Sequence, residues 1–186
     1  MELREKTLEQ SYIYKGKVIN LRLDKNELPN GKTGMREIVE HSGGVCVAAL
    51  TKKDELIFVR QYRSPYEEIV TELPAGKIDK GEDPLTCGKR ELLEETGATA
   101  GRYIDLGRFY PTPGYCGETI YLYGALDLEF SEQAPDEDEF LEVVRLPLQE
   151  AVQMVLENKL PDGKTQTAVM KLNVLKQNNF EGALFL

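Results

Sequence analysis

Over the first forty residues, apolar and polar positions intersperse at strand spacing. Residues 11–14 and 18–24 flank Lys15 and Gly16 as two strands, and residues 35–41 form a third. Pro29, Asn30 and Gly31 stand between the second and third as a turn. An antiparallel meander this small cannot bury a core of its own, so it must pack on the rest of the chain or on a second copy of it. Gly43 and Gly44 then make a flexible join to residues 45–50, an unbroken apolar run. A charged turn follows at residues 52–55, then a strand at 56–61 and another near 69–73. The expectation is one sheet built from these strands, carrying the helix that comes next.

That helix follows a loop punctuated by Gly76 and Gly81. Asp83 fits the N-cap, Pro84 the first helical position and Gly97 the position just past the last turn. Beyond it the pattern predicts strands over 103–110 and 119–125, separated by a loop over 111–117 rich in turn formers. An acidic loop over 129–139 precedes a strand over 141–146. Helices are predicted over 148–157, with Val152, Val155 and Leu156 on one face, and over 165–175. The order is α/β in the α+β sense, with strands paired mostly antiparallel. It divides into a small N-terminal antiparallel β subdomain, residues 1–42, and a main domain, residues 43–186.

The 186 residues suffice for one domain with a real core plus a small accessory unit. A 41% hydrophobic and 30% charged composition is that of a soluble globular chain, and no apolar run approaches the roughly 20 residues of a membrane span. A net charge of −9 disfavours nucleic acid as a partner, because binding to it rests on phosphate neutralisation by Lys and Arg. A small anionic ligand stays open, since global charge is screened beyond about 8 Å. Three cysteines without metal-ligand spacing argue for a reducing compartment. The opening segment MELREKTLEQ is too charged for a signal peptide, and the cytoplasm is the expected location.

The chemistry concentrates in residues 75–98. Glu91, Glu94 and Glu95 stand i, i+3, i+4, so their carboxylates share one helical face, and the loop can bring Glu82 towards them. Such a face repels itself unless a cation sits there. Oxygen donors without His or Cys suit a hard divalent ion, Mg²⁺ or Mn²⁺, better than zinc. Glutamates on a helix are more often a solvated face, so the spacing alone does not decide. Gly88, in the middle of the helix, costs about 1 kcal/mol against alanine and points to close packing on a sheet. Cys87 reads as a small core residue, and His41, the single histidine, as structural.

Gly76, Glu82, Arg90, Glu91, Glu94, Glu95 and Gly97, with apolar Leu92 and Ala98, stand at the spacings of the Nudix box. The seven fixed positions would coincide by chance about 10⁻⁹ to 10⁻⁸ times per register. The chain therefore resembles Nudix hydrolases. Pro113, sixteen residues after Gly97, and the segments ELPNGK, MREIVEH, FVRQYRSP, ELPAGKID and DEDEFLEV extend the likeness to the ADP-ribose pyrophosphatase group. GDP-mannose hydrolases share much of this layout.

The resemblance implies a Nudix fold, a mixed sheet sandwiched between helices. It implies Mg²⁺ or Mn²⁺ held by the Ala75 carbonyl, Glu91 and Glu95, with Glu94 as a further carboxylate. Arg90 pairs with the box glutamates and fixes their rotamers. A carboxylate from the late acidic loop, Glu139 or Glu137, takes the proton of the attacking water. Arg36 and Arg63 match positions holding the diphosphate and terminal ribose, and Glu37 a position near adenine. Lys77 and Thr112 are further substrate-side candidates. Lys17 stands where relatives often carry a stacking aromatic, a departure that Tyr12, Tyr14 or Tyr115 would have to make good. The implied reaction is hydrolysis of ADP-ribose to AMP and ribose 5-phosphate. The alternatives are another nucleoside diphosphate derivative, such as GDP-mannose, NADH or coenzyme A, and a non-catalytic ADP-ribose-binding regulator. Relatives form homodimers through exchanged N-terminal sheets.

Overall fold

The computed structural model describes residues 2–134 and 140–186. By their contacts they divide into two units, Met1–Gly43 with Tyr110–Thr119, and Gly44–Phe109 with Ile120–Leu186.

In the first unit β1 (Lys6–Lys15), β2 (Ile19–Glu27) and β3 (Thr33–His41) form an antiparallel sheet in that order. Gly16 makes the first turn, where a Cβ would lie 2.9 Å from the Ile19 carbonyl oxygen. Gly31, at φ 78°, makes the second and donates to the Leu28 carbonyl at 2.9 Å. Asp24 is buried and held by Arg22 Nε at 2.7 Å. Segment 110–119, which chain order alone would leave with the second unit, belongs here: the Val39 N–H donates to the Tyr115 carbonyl, and the Gly117 N–H to the Val39 carbonyl.

The second unit contains two sheets. The larger runs in the order β11 (Leu184–Phe185), β8 (Ala98–Phe109), β9 (Ile120–Phe130), β4 (Gly44–Ala49), β7 (Ala75–Lys77). The smaller runs β10 (Leu141–Pro147), β5 (Glu55–Arg63), β6 (Glu68–Glu72). The β4 and β9 strands are parallel, and the other pairs are antiparallel. The expected single sheet of residues 45–50, 56–61 and 69–73 is thus corrected: the first lies in one sheet and the other two in the second. The reason is visible in β4, whose six residues are all buried. Val45, Val47 and Ala49 pack with Cys87 and Leu92 of α1 (Pro84–Thr96). Cys46 and Ala48 join the core of α2 (Leu148–Leu156) and α3 (Gly163–Gln177) through Leu148, Ala168, Val169 and Leu172. A strand covered on both faces reads as a continuous apolar run and sits mid-sheet.

The α1 signals act as read. The Asp83 carboxylate accepts the Thr86 N–H at 3.0 Å, Pro84 opens the helix, and Gly97 closes it at φ 68° with its N–H on the Leu93 carbonyl at 2.8 Å. At Gly88 a Cβ would meet Tyr123 Cδ2 and Val47 Cγ2 at 3.3 Å, so the glycine lets the helix lie close to the sheet. Periodicity missed β7 and β11, of three and two residues, which are too short to show a period. It also ended β9 early, since that strand runs on to Phe130.

Gly97 combines a left-handed backbone with a crowded site, because a Cβ would lie 2.3 Å from the Ser131 carbonyl oxygen. Gly97→Ala should therefore cost about 1–3 kcal/mol, a Tm loss of several degrees. A thermal melt followed by circular dichroism checks this, and an unchanged Tm would refute it.

Candidate active site

The α1 helix, β7 and the loop between them build the site from the sequence pattern. Glu91 and Glu95, one turn apart, face the strand rather than solvent and are 8% and 3% exposed. Burying ionised carboxylates is costly unless they are bonded or paired. Glu95 Oε2 accepts the Ala75 N–H at 3.1 Å, and Glu91 lies 2.8 Å from Arg90 Nη1. Gly76 is required beside Glu91, because a Cβ there would fall 1.9 Å from the Glu91 carboxylate carbon. The first glycine of the box is thus a steric vacancy that the glutamate side chain fills.

Arg90 gathers the remaining carboxylates. Its Nε and Nη2 donate to the two oxygens of Glu82 at 3.0 and 3.1 Å, and its Nη1 to Glu94 Oε2 at 2.9 Å. The guanidinium on both of its oxygens, reinforced by the Asp79 N–H, holds the Glu82 carboxyl down at about 2. Arg90 is held above its ordinary range by the bond to Glu82, against the opposing effect of burial. Burial pushes the Cys87 thiol up to about 12, which fits a core residue and not a nucleophile.

The donor set suits a hard divalent cation: buried carboxylates of Glu91 and Glu95, the Ala75 carbonyl at the start of β7, and no sulfur or imidazole among them. Mg²⁺ is commonly held by one or two carboxylates and completes its shell with water and phosphate oxygens. Among the described residues no three His, Cys, Asp or Glu side chains form an all-protein metal cluster.

The remaining candidates fall into three groups. Arg63, at the end of β5, donates through Nε to Glu72 Oε1 at 2.5 Å and stays partly exposed. Lys77, on β7, is exposed. Arg36, Glu37, Lys17 and Thr112 belong to the first unit, where Arg36 pairs with Glu5 and the Thr112 carbonyl accepts the Cys116 N–H at 3.1 Å. Tyr12 and Lys15 form a cation–π contact at 4.2 Å, so a base stacking on Tyr12 would compete with that lysine. Glu137 and Glu139 lie outside the described residues.

Sequence reasoning missed Glu72, 2% exposed, which also pairs with Lys164. It also missed Asp162, which caps α3 by accepting the Thr165 N–H at 3.0 Å. The D-G-K-T run at 162–165 carries a capping signal, and it lies ahead of the helix predicted over 165–175, which in fact begins at Gly163.

Residues 40–168 match the NUDIX domain, and residues 5–39 the nucleoside diphosphate sugar hydrolase N-terminal domain. A Bacillus subtilis (strain 168) protein named ADP-ribose pyrophosphatase is 42% identical over 174 residues, 92% of this chain and 94% of the relative. A Bacillus methanolicus protein named methanol dehydrogenase activator is 44% identical over 172 residues, 91% and 93% of the two chains. The crystal structure of an ADP compounds hydrolase shares the fold with a TM-score of 0.84 at 23% identity, over 97% of this chain and 99% of that one.

Glu82 generates a pH prediction. Its carboxyl falls from an ordinary 4.5 to about 2 in the folded protein, so its bond to Arg90 stabilises fully above about 4.5 and is lost as pH falls towards 2. Glu82→Gln should lower Tm by a few degrees at neutral pH, with the gap to the parent closing below pH 4.5. Melts across that range check it, and a gap independent of pH would overturn it.

Proposed function

The chain belongs to the Nudix hydrolase family, and from that premise we propose that it hydrolyses ADP-ribose to AMP and ribose 5-phosphate with Mg²⁺ or Mn²⁺. Family members depend in general on a divalent cation. The observation that carries the substrate reading is the 42% identity to a protein named ADP-ribose pyrophosphatase, which spans both units and not the box alone.

Glu91, Glu95 and the Ala75 carbonyl would hold the cation, with Glu94 as a further carboxylate. When bound, the cation neutralises charge developing on the diphosphate and lowers the pKa of a bound water. Arg90 keeps Glu82, Glu91 and Glu94 in fixed rotamers, so the acidic face is in place before substrate arrives. Arg63 binds the diphosphate, with Lys77 on the strand that carries Ala75. Glu139 or Glu137 removes the proton from the attacking water. The water oxygen bonds to one phosphorus, and the bridging P–O bond opposite it breaks.

Arg36, Glu37, Lys17 and Thr112 supply the ribose and adenine side. The chain forms a homodimer joined through the N-terminal sheets. The support is physical: every residue of β1 is exposed, among them Leu8, Tyr12, Ile13 and Tyr14, and a lone three-stranded sheet needs a covering partner. Light scattering at micromolar concentration should give twice the chain mass, and a monomer would count against this arrangement.

A second reading, a nucleotide sugar such as GDP-mannose, is favoured by the match of residues 5–39 to a nucleoside diphosphate sugar hydrolase domain. The deciding experiment is Mg²⁺- and Mn²⁺-dependent hydrolysis of ADP-ribose beside GDP-mannose, NADH and coenzyme A, with products separated by chromatography. AMP should appear fastest from ADP-ribose, and Glu95→Gln should lower turnover by about 10³-fold or more with the fold intact. Faster turnover of another substrate would replace ADP-ribose. Tight ADP-ribose binding without products would mark a regulator. Near-parental activity of Glu95→Gln would remove the metal assignment.

A further inference from the structure

Outside the box, Glu72, Arg63, Lys164 and Asp162 form a charged cluster around a buried carboxylate. Glu72 is 2% exposed and divides its two oxygens, Oε1 accepting from Arg63 Nε at 2.5 Å and Oε2 from Lys164 Nζ. The Lys164 ammonium also lies 3.0 Å from Asp162 Oδ2, the cap of α3. One residue further, the Thr165 hydroxyl accepts the Leu73 N–H at 2.9 Å. The first turn of α3 is therefore bonded at two successive residues to the segment leading into Ala75. Ala75 in turn donates to Glu95.

A buried ion pair is a poor device for stability, since apolar residues of similar volume do as well or better. The specific feature here is the one-oxygen contact between Glu72 and Arg63. An arginine and a carboxylate left to themselves favour two parallel bonds, which would engage the guanidinium's terminal nitrogens. Lys164 occupies the second carboxylate oxygen. Among the described residues Arg63 hydrogen-bonds to Glu72 only through Nε, and the side chain remains 39% exposed. Burial pulls the Lys164 ammonium down, but Asp162 and Glu72 outweigh it and its pKa is raised, so the clamp stays charged through neutral pH. The Glu95 charge also favours the charged form of Arg63.

We propose that Lys164 is a positioning residue: by holding the second oxygen of Glu72 it keeps Arg63 bound through Nε alone and presents the two terminal guanidinium nitrogens to the substrate diphosphate. This rests on the reading of the chain as a pyrophosphatase with Arg63 on the diphosphate.

The test is a double-mutant cycle on steady-state hydrolysis of ADP-ribose, with the parent, Lys164→Met, Arg63→Ala and the double variant. Lys164→Met should raise KM about tenfold with kcat within about threefold, Lys164→Arg should recover most of the loss, and in the Arg63→Ala background Lys164→Met should change KM by less than about twofold. Equal KM changes in both backgrounds, a fall in kcat with KM unchanged, or an Arg63→Ala variant with parental KM would each overturn the proposal. Should Lys164→Met not fold, Lys164→Ala, which also removes the donor for Glu72 but adds less apolar bulk beside it, enters the same cycle with the same expectations. If the parent hydrolyses another member of the substrate panel, the ADP-ribose reading fails by itself. The cycle is then run on that substrate, which shares the diphosphate, and additivity there overturns the positioning role alone. If the parent hydrolyses none of them, both fall together.

Discussion

Glutamate side chains are buried between α1 and β7, and the rest of the second unit serves that placement. Four box carboxylates, Glu82, Glu91, Glu94 and Glu95, stand against one guanidinium, Arg90. Desolvation opposes the charged form of a carboxylate when nothing compensates. Here the compensation is structural: the Ala75 N–H on Glu95, Arg90 on the other three, and the Asp79 N–H on Glu82 at 3.0 Å. Each compensator depends on backbone placement. Ala75 is fixed because β7 pairs with β4 through Cys46, and β4 is fixed because both of its faces are covered.

The glycines of the helix and its flanks follow from the same requirement. Gly76 leaves room for Glu91, Gly88 lets the helix axis come down onto Val47 and Tyr123, and Gly97 turns the chain straight into β8. A helix a methyl group further from the sheet would lift the glutamates away from the Ala75 N–H and into solvent. Their charge would then be screened, and they would lose the preorganised geometry that makes a cation site worth more than four loose carboxylates. The spacing of the box is therefore a packing pattern as much as a ligand pattern.

How far this could be read beforehand depended on whether the deciding contacts are local. The α1 helix was legible from Asp83, Pro84 and Gly97 because caps act within one turn, and Gly88 was correctly read as a point of close packing. Strand existence was legible from periodicity, but sheet membership was not. β4 and β5 follow each other in sequence yet lie in different sheets, since β4 pairs in parallel with β9, more than seventy positions further on. No local signal encodes that choice. The Glu72–Lys164 pair escaped for the same reason, with 92 positions between its partners. Arg63 was found only through the family resemblance, and nothing in its neighbourhood along the chain reveals that a buried glutamate orients it.

An acidic chain that takes an anionic ligand has to localise its positive charge. In this protein the two kinds of arginine are used differently. Arg90 is spent inside the molecule: its nitrogens are bonded to Glu82 and Glu94 and lie against Glu91, so its charge organises the acidic face and is not offered outward. Arg63 meets its buried carboxylate through a single nitrogen, and the charge of that carboxylate is shared with a lysine that is itself tied to Asp162. Counted together, Glu72, Asp162, Arg63 and Lys164 are neutral, so burying them leaves no net charge to solvate. The exposed end of Arg63 nevertheless stays positive. Without that anchor, an arginine within reach of the Glu95 charge would be drawn onto the box carboxylates. Anchoring it from behind, through Glu72, keeps it near that face without letting it neutralise it. On the proposed reading, this leaves the terminal end of Arg63 available to a diphosphate in a protein of net charge −9.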